Sequence, residues 1–207
     1  SGNGNNGAIY GAVWTTEVPS NTKKYYAKYV MIETDPEGEV PFEIVVTDSV
    51  GLVSDPVTQT TDESLVIFDR TAPTLSTVHI ESDNANNTLI AIGGDNVYLT
   101  FTPEEPLLLD SIVVTIAGLA TTLTESNGSY TATLTLTGSE PDGILEFTID
   151  FKDRAGNPGI QVTSTTDESY VNHDIYPPEI EIASITSNNP DSSWAKVGDS
   201  VFVTFTA

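Results

Sequence analysis

Nearly every side chain here that could do chemistry is a carboxylate. The chain carries 30 Asp and Glu against 7 Lys and Arg, with 2 His and no Cys, for a formal net charge of −23. Oxygen ligands in such excess suit a hard divalent cation, above all Ca2+, which takes carboxylates and backbone carbonyls in an adaptable shell. Five residues are the candidates for such a shell: Asp69, Glu104, Glu105, Asp153 and Asn157. Other chemistries lack their residues. Thiolate sites and thiol catalysis are absent with cysteine, and His79 and His173 are too few for a repeated histidine site, reading as surface or half-buried residues. No Gly-x-Ser-x-Gly, Walker-type loop or His-Glu-x-x-His occurs. The adjacent acids Asp62-Glu63 and Asp167-Glu168, placed on a strand, point to opposite faces and cannot close on one substrate. They read as a solvated strand edge that discourages stray pairing, and no catalytic residue is expected.

A repeat supplies the frame that would position the five. Thr60-Thr61-Asp62-Glu63-Ser64 returns as Thr165-Thr166-Asp167-Glu168-Ser169, and each copy runs on to an Asp and a Pro, Asp69 and Pro73 or Asp174 and Pro178, at a constant offset of 105. The same offset aligns Tyr25 with Tyr130, Gly38 with Gly143, Phe42 with Phe147, Asp48 with Asp153 and Gly51 with Gly156. Beyond the second junction, Gly198-Asp199-Ser200-Val201-Phe202-Val203-Thr204-Phe205-Thr206 answers Gly94-Asp95-Asn96-Val97-Tyr98-Leu99-Thr100-Phe101-Thr102 at an offset of 104, one residue having been lost between Pro178 and Gly198. The chain thus reads as the C-terminal two-thirds of one unit (1–70), one complete unit (71–175) and the first two strands of a third (176–207). That pattern suits a window on a longer repetitive polypeptide. The two partial units also come close to one period together, so the tail of one chain could complete the head of another.

Strand periodicity dominates each unit. Val97, Leu99 and Phe101 alternate with polar residues, as do Ile112, Val114 and Ile116, then Tyr130, Ala132, Leu134 and Leu136, then Leu145, Phe147, Ile149 and Phe151. Segments 75–80, 119–123 and 160–171 complete a set of seven, and Asn127-Gly128 marks a tight hairpin. In the first unit 8–18 reads as strand after a Gly/Asn-rich start with little to pack. Thr-rich strands with regular turns and no helical period predict an all-β fold of tandem immunoglobulin-like or fibronectin-like antiparallel β-sandwiches. In that topology the loops after the second and sixth strands lie where the chain enters, so Glu104-Glu105 and the 153–157 loop would surround Asp69.

These residues also resemble a known family. The order Asp69 to Pro73, Gly94 to Thr102, Glu105-Pro106, Phe147 to Asn157 and Thr165 to Asp167 is similar to the bacterial Ig-like repeats of very large cell-surface adhesins, including the long gliding adhesins of Bacteroidetes. The resemblance spans the whole chain and is specific for the domain type. The first unit departs from it at Asp48-Ser49-Val50-Gly51-Leu52 and the second junction at Tyr176-Pro177-Pro178. It implies a repeated spacer on a bacterial cell surface, partnered by the neighbouring repeats of its own polypeptide.

Charge excludes partners of like sign. Residues 71–175 hold 2 basic and 15 acidic side chains, a surface that repels nucleic acid and anionic membranes, and no run of apolar residues is long enough to cross a bilayer as a helix. Two alternatives to a spacer remain: a glycan- or protein-binding module using Tyr25, Tyr26 and Tyr29, or a non-catalytic appendage of a secreted polysaccharide-degrading enzyme. Trp14 and Trp194, aligned with Leu119 and Leu89, read as packing residues, and the sequon at Asn127-Gly128-Ser129 as a turn.

Overall fold

The computed structural model describes residues 13–15 and 26–206. In chain order its strands are β1 (Val13–Thr15), β2 (Tyr26–Lys28), β3 (Gly38–Glu39), β4 (Ile67–Phe68), β5 (Leu75–Ser82), β6 (Ile90–Ala91), β7 (Asn96–Pro103) and β8 (Val113–Ile116). They continue with β9 (Leu119–Ala120), β10 (Thr122–Ser126), β11 (Ser129–Thr135), β12 (Gly143–Ile144), β13 (Phe147–Asp150), β14 (Asn172–His173), β15 (Ile182–Ser187) and β16 (Val201–Thr206), and the one helical turn among the described residues is the 3₁₀ turn Leu109–Ser111. The expected strand over 8–18 is described only at 13–15; its remainder, the Gly/Asn-rich start and Tyr25 lie outside the described residues.

Alternation builds the core. A four-stranded antiparallel sheet, ordered β10-β11-β7-β5, faces a three-stranded one, β13-β8-β9. Val78, Ile80, Val97, Leu99, Phe101, Tyr130 and Ala132 of the first sheet share one buried cluster with Val114, Ile116, Phe147 and Ile149 of the second. Two sheets with one apolar face each close on one another, which is the sandwich solution. Phe101 and Tyr130, opposite each other in the β7–β11 register, stack with ring centroids 5.4 Å apart. Asn127 and Gly128 both take positive φ, 52° and 82°, at the β10–β11 hairpin, as a tight primed turn requires.

Three expectations need correction. Pairing is not wholly antiparallel, because β14 runs parallel to β6 in a small third sheet, β12-β14-β6. Trp14 does not correspond to Leu119: it pairs with Ala27 as Leu123 pairs with Ala132, because the β1–β2 connection is four residues longer than the β10–β11 one. Residues 160–171 are not a strand. They make an isolated bridge from Val162 to Ile149 and then a turn in which Thr165 Oγ1 donates to Ser169 O at 2.9 Å and Ser169 N to Asp167 Oδ1 at 3.1 Å. Short hydroxyl and carboxylate side chains that bond nearby backbone compete with a ladder in this way. Glu168 is drawn to a φ of 62°, so Asp167 and Glu168 occupy a turn rather than opposite strand faces. Asp62-Glu63 does the same, with Glu63 at φ 60° and Ser64 N on Asp62 Oδ1.

The turn serves the sheet edge. Val78 N donates to Thr166 Oγ1 at 3.0 Å and Ile80 N to Ser169 Oγ at 2.9 Å, while Thr166 N donates to Val78 O at 2.9 Å. Side-chain hydroxyls thus satisfy β5 donors that a further strand would otherwise take.

Many local contacts recur at the sequence offset. Asn84 Nδ2 donates to Asp95 Oδ2 and Asn189 Nδ2 to Asp199 Oδ2; Ser82 Oγ donates to Ile90 O and Ser187 Oγ to Trp194 O. Trp194 therefore stands where Ile90 does, not Leu89.

A buried carboxylate marks one turn. Glu140 is 5% exposed, with Thr137 N, Thr137 Oγ1 and Gly138 N donating to it at 2.9–3.0 Å. Burial pushes its pKa up, but these donors outweigh burial and hold it at about 2. Asp35 holds the matching turn, accepting from Ile32 N at 2.8 Å and Tyr29 Oη at 2.9 Å. Because the folded pKa of Glu140 lies below the unfolded one, its contribution is present above the ordinary carboxylate range, about 4.3, and fades as pH falls toward 2. Urea melts from pH 6 to 2 will show stability dropping through this window. Glu140→Gln will lose about 1–3 kcal/mol at pH 7, since its amide N–H groups would face donors, and will flatten that slope.

Candidate metal centre

Three acidic side chains converge where the first and second repeats of the sequence meet. Asp69 follows β4, Glu105 follows β7 and Asp153 follows β13, and one carboxylate oxygen from each lies within 4.8 Å of the other two. The turn holding Asp153 is built by its own side chain. Oδ1 accepts from Gly156 N at 2.7 Å and Asn157 N at 2.8 Å, and Asp153 N donates to Asn157 O at 3.1 Å. Gly156 closes the turn at a φ of 98°, where a side chain would be strained. A bridge between Leu107 and Asp153 fixes the segment after β7 against this turn.

Asn157 ties turn to linker. Its Nδ2 donates to Asp153 Oδ2 at 2.7 Å and to Asp69 O at 3.1 Å. Asp69 is held in turn by Thr71 N, which donates to its Oδ1 at 3.0 Å.

Of the five expected ligands, Asp69, Glu105 and Asp153 come together. Asn157 joins them through its amide nitrogen, as a clamp rather than an oxygen donor. Glu104 is turned aside. Its N donates to Thr74 O at 2.9 Å, and its Oε2 accepts from Thr74 Oγ1 at 2.5 Å, so it belongs with the start of β5. Glu37 was not among the five, yet it stands close. It accepts from Arg70 N at 3.0 Å and Thr71 Oγ1 at 2.8 Å, and the Thr71 hydroxyl and Arg70 N hold its carboxyl below the usual range. Its sequence signal is an acid one place before the aligned glycines, Glu37 before Gly38 and Asp142 before Gly143. The second junction repeats the arrangement: Tyr176 N donates to Asp174 Oδ1 at 3.0 Å, and Ile175 N approaches Asp142 Oδ1 at 3.4 Å.

Among the described residues, no basic side chain pairs with the triad. Arg70 Nε lies 3.7 Å from Glu37 in a solvent-facing pair, and among the described residues no Lys or Arg forms an ion pair with Asp69, Glu105 or Asp153. Burial, then the charges of Asp69, Asp153 and Glu37, push the Glu105 carboxyl up. Asp153, wholly buried, would also be pushed up by burial, but the donors from Asn157 and Gly156 outweigh it and hold its carboxyl below the usual value. Among the three, Glu105 bears the repulsion.

Neither histidine approaches this cluster. His79 is exposed, with Nδ1 2.6 Å from Asp167 Oδ2 and Nε2 3.7 Å from Glu81. His173, expected at the surface or half-buried, is fully buried, because it occupies an inward position of β14 beside Ala91 of β6. Its Nδ1 lies 3.1 Å from Pro141 O, and its Nε2 has no hydrogen-bond partner among the described residues.

No protein-family model, curated protein or solved structure matches this chain.

A carboxyl with a raised folded pKa favours folding only while protonated, so its contribution fades as pH rises through the carboxylate range and, once ionised, Glu105 opposes folding. Glu105→Gln will therefore melt higher than the native chain at pH 7 in EDTA, by on the order of 1–3 °C. A lower melting temperature would mean that Glu105 is not the strained member.

Proposed function

We propose that this chain is part of a structural stalk: tandem immunoglobulin-like sandwiches of a bacterial cell-surface adhesin that hold a distal binding region away from the cell, with Ca2+ clamping the joints between repeats. The observation that carries this reading is the convergence of Asp69, Glu105 and Asp153 from a linker and two loops. A joint needing stiffness is where such a cluster is useful, since an ion held by both sides resists bending. Recurrence of the Asp69 linker contacts at Asp174 105 positions on supports a serial device. A sandwich of this kind would add about 30–40 Å to an array if its strands lie along the axis, and the prolines after each linker limit the joint further.

The residues fit the ion. Oxygens sharing one Ca2+ at about 2.3–2.6 Å can be at most about 5 Å apart, and the three lie within 4.8 Å. Among the described residues the fixed negative charge has no basic ion-pair partner, and a divalent cation would supply the missing positive charge. Ca2+ bound there would lower the repulsion that raises the Glu105 pKa and join the loop that carries Asp153 to the linker through Asp69. An affinity of about 0.1–1 mM is enough outside a cell.

Melting the chain in EDTA and then in 10 mM CaCl2 tests the clamp. At the stated affinity the gain in 10 mM Ca2+ is about 1.4–2.7 kcal/mol, Asp69→Asn and Glu105→Gln should each remove most of it, and Glu104→Gln should leave it in place. Equal melting temperatures with and without Ca2+ would remove the ion from the account.

A further inference from the structure

We propose that the cleft between the segment after β7 and the β10–β11 hairpin binds a primary ammonium carried on an aliphatic stem, with Tyr130 Oη and Glu125 accepting from its N–H groups. The site needs neither the stalk role nor a cation at the joint, so each can fail without the other.

Tyr130 is the residue that points to a ligand. Its ring stacks on Phe101 and the residue is only 6% exposed, yet its hydroxyl makes no hydrogen bond among the described residues. Polar groups this deeply buried are nearly always satisfied. The Tyr29 hydroxyl, for comparison, donates to Asp35 at 2.9 Å. What the Tyr130 hydroxyl has beside it is a cleft of about 450 Å3 that Tyr130 itself lines, a volume in the range of small-ligand sites. Leu107 and Leu109, with Pro103 and Pro106, give that cleft apolar walls, and Leu109 is exposed along them.

Charge selects among ligands. Glu104, Glu105 and Glu125 line the cleft against a single basic residue, Arg154, so an anion is repelled and a cation drawn in. Glu104 Oε2 is taken by Thr74 Oγ1 at 2.5 Å, and Glu105 lies toward Asp69 and Asp153. Glu125 is the freest of the three: its Oε1 accepts from Gly128 N at 2.8 Å, and its Oε2 has no partner among the described residues. Burial and then the Glu125 charge push the Tyr130 phenol up, while Arg154 pulls it down. Hydroxyl, carboxylate and guanidinium thus face one space, and the protonated phenol can accept through its oxygen. A stem of methylenes would lie on Leu107, Leu109 and the prolines while its charged head reaches Tyr130 and Glu125, the division that long basic side chains make between stem and head. Arg154 forms no ion pair among the described residues and can donate to a carbonyl oxygen beside the ammonium. A lysine side chain of a partner protein brings such a carbonyl with it, and a free diamine does not.

Titration of the chain in EDTA, followed by backbone amide NMR shifts, tests the site with three probes: a blocked Gly-Lys-Gly peptide, its norleucine counterpart, which keeps the stem without the charge, and cadaverine. The lysine peptide should shift Leu107, Gly128 and Tyr130 and bind at least about tenfold more tightly than the norleucine peptide, as hydrogen bonds to a charged group require. Tyr130→Phe should weaken it about tenfold without lowering the melting temperature, since the hydroxyl makes no bond in the folded chain. Glu125→Gln should also weaken it. Glu146→Gln, an equal change of charge at an exposed position outside the cleft, should not. Tighter binding of the peptide than of cadaverine would assign the ammonium to a protein partner, and the reverse order to a free diamine. No shifts with any probe, equal affinity for the norleucine peptide, or equal weakening by Tyr130→Phe and Glu146→Gln would overturn the proposal, the last leaving only a general attraction of cations to a chain of charge −23.

Discussion

An apolar sheet face needs a second face to close on, and the rest of this structure follows from where that requirement is met. Between β5 and β14 it is met fully: strands from two sheets interleave Phe101, Ile116, Ile149 and their neighbours in one cluster. Each fully buried Leu, Ile or Phe side chain there contributes about 1.5–3 kcal/mol. Outside that span the same pattern of residues is present, but its apolar side chains, such as Ile44, Val46, Val201, Val203 and Phe205, are exposed. With no cysteine in the chain, packing and hydrogen bonding carry the fold without disulfides. The buried turn at Glu140 and the hydroxyl-bonded edge at Thr166 and Ser169 show how polar groups are kept satisfied around so small a core.

Closing the core also decides where charge collects. The ends of β7 and β13 come together because the two packed sheets do, the linker after β4 is tied to them through Asn157, and each delivers an acid to one place. Local bonding then sorts those acids. Asp153 is stabilised as an anion by the turn it organises, Glu104 is drawn off by Thr74, and Glu105 takes up the repulsion. The joint is thus electrostatically loaded by the geometry of the sandwich itself. Arg70 relieves only Glu37, across a solvent-facing gap.

Sequence reading reached the architecture because burial leaves a period-two imprint, and the inward sets around Phe101, Ile116, Tyr130 and Phe147 are those that the core uses; only Ile112 and Leu134 among them proved half-buried. It failed where side chains overrule the backbone pattern. Residues 160–171 read as one strand, yet the hydroxyls of Thr165 and Ser169 and the carboxylate of Asp167 hold 165–169 in a turn. The convergence of Asp69, Glu105 and Asp153 was legible because loop ends follow from strand order. The parting of Glu104 from Glu105 was not, since it hangs on two hydrogen bonds to Thr74, one through the backbone and one from the Thr74 hydroxyl to the Glu104 carboxylate. Glu37 was missed because it enters from the preceding repeat, and the burial of His173 because its counterpart, Phe68, gives no hint that a histidine could replace it in a core.

The central claim is that residues 75–173 close a core of their own, while the residues that match it in sequence on either side stay exposed. Amide hydrogen exchange of the dilute chain, read residue by residue, tests that most directly. Protection should be high at Val97, Leu99, Phe101, Ile116 and Ile149 and lower, by orders of magnitude in rate, at the corresponding Val201, Val203, Phe205 and Ile44. Equal protection at corresponding positions in a verified monomer would contradict the account.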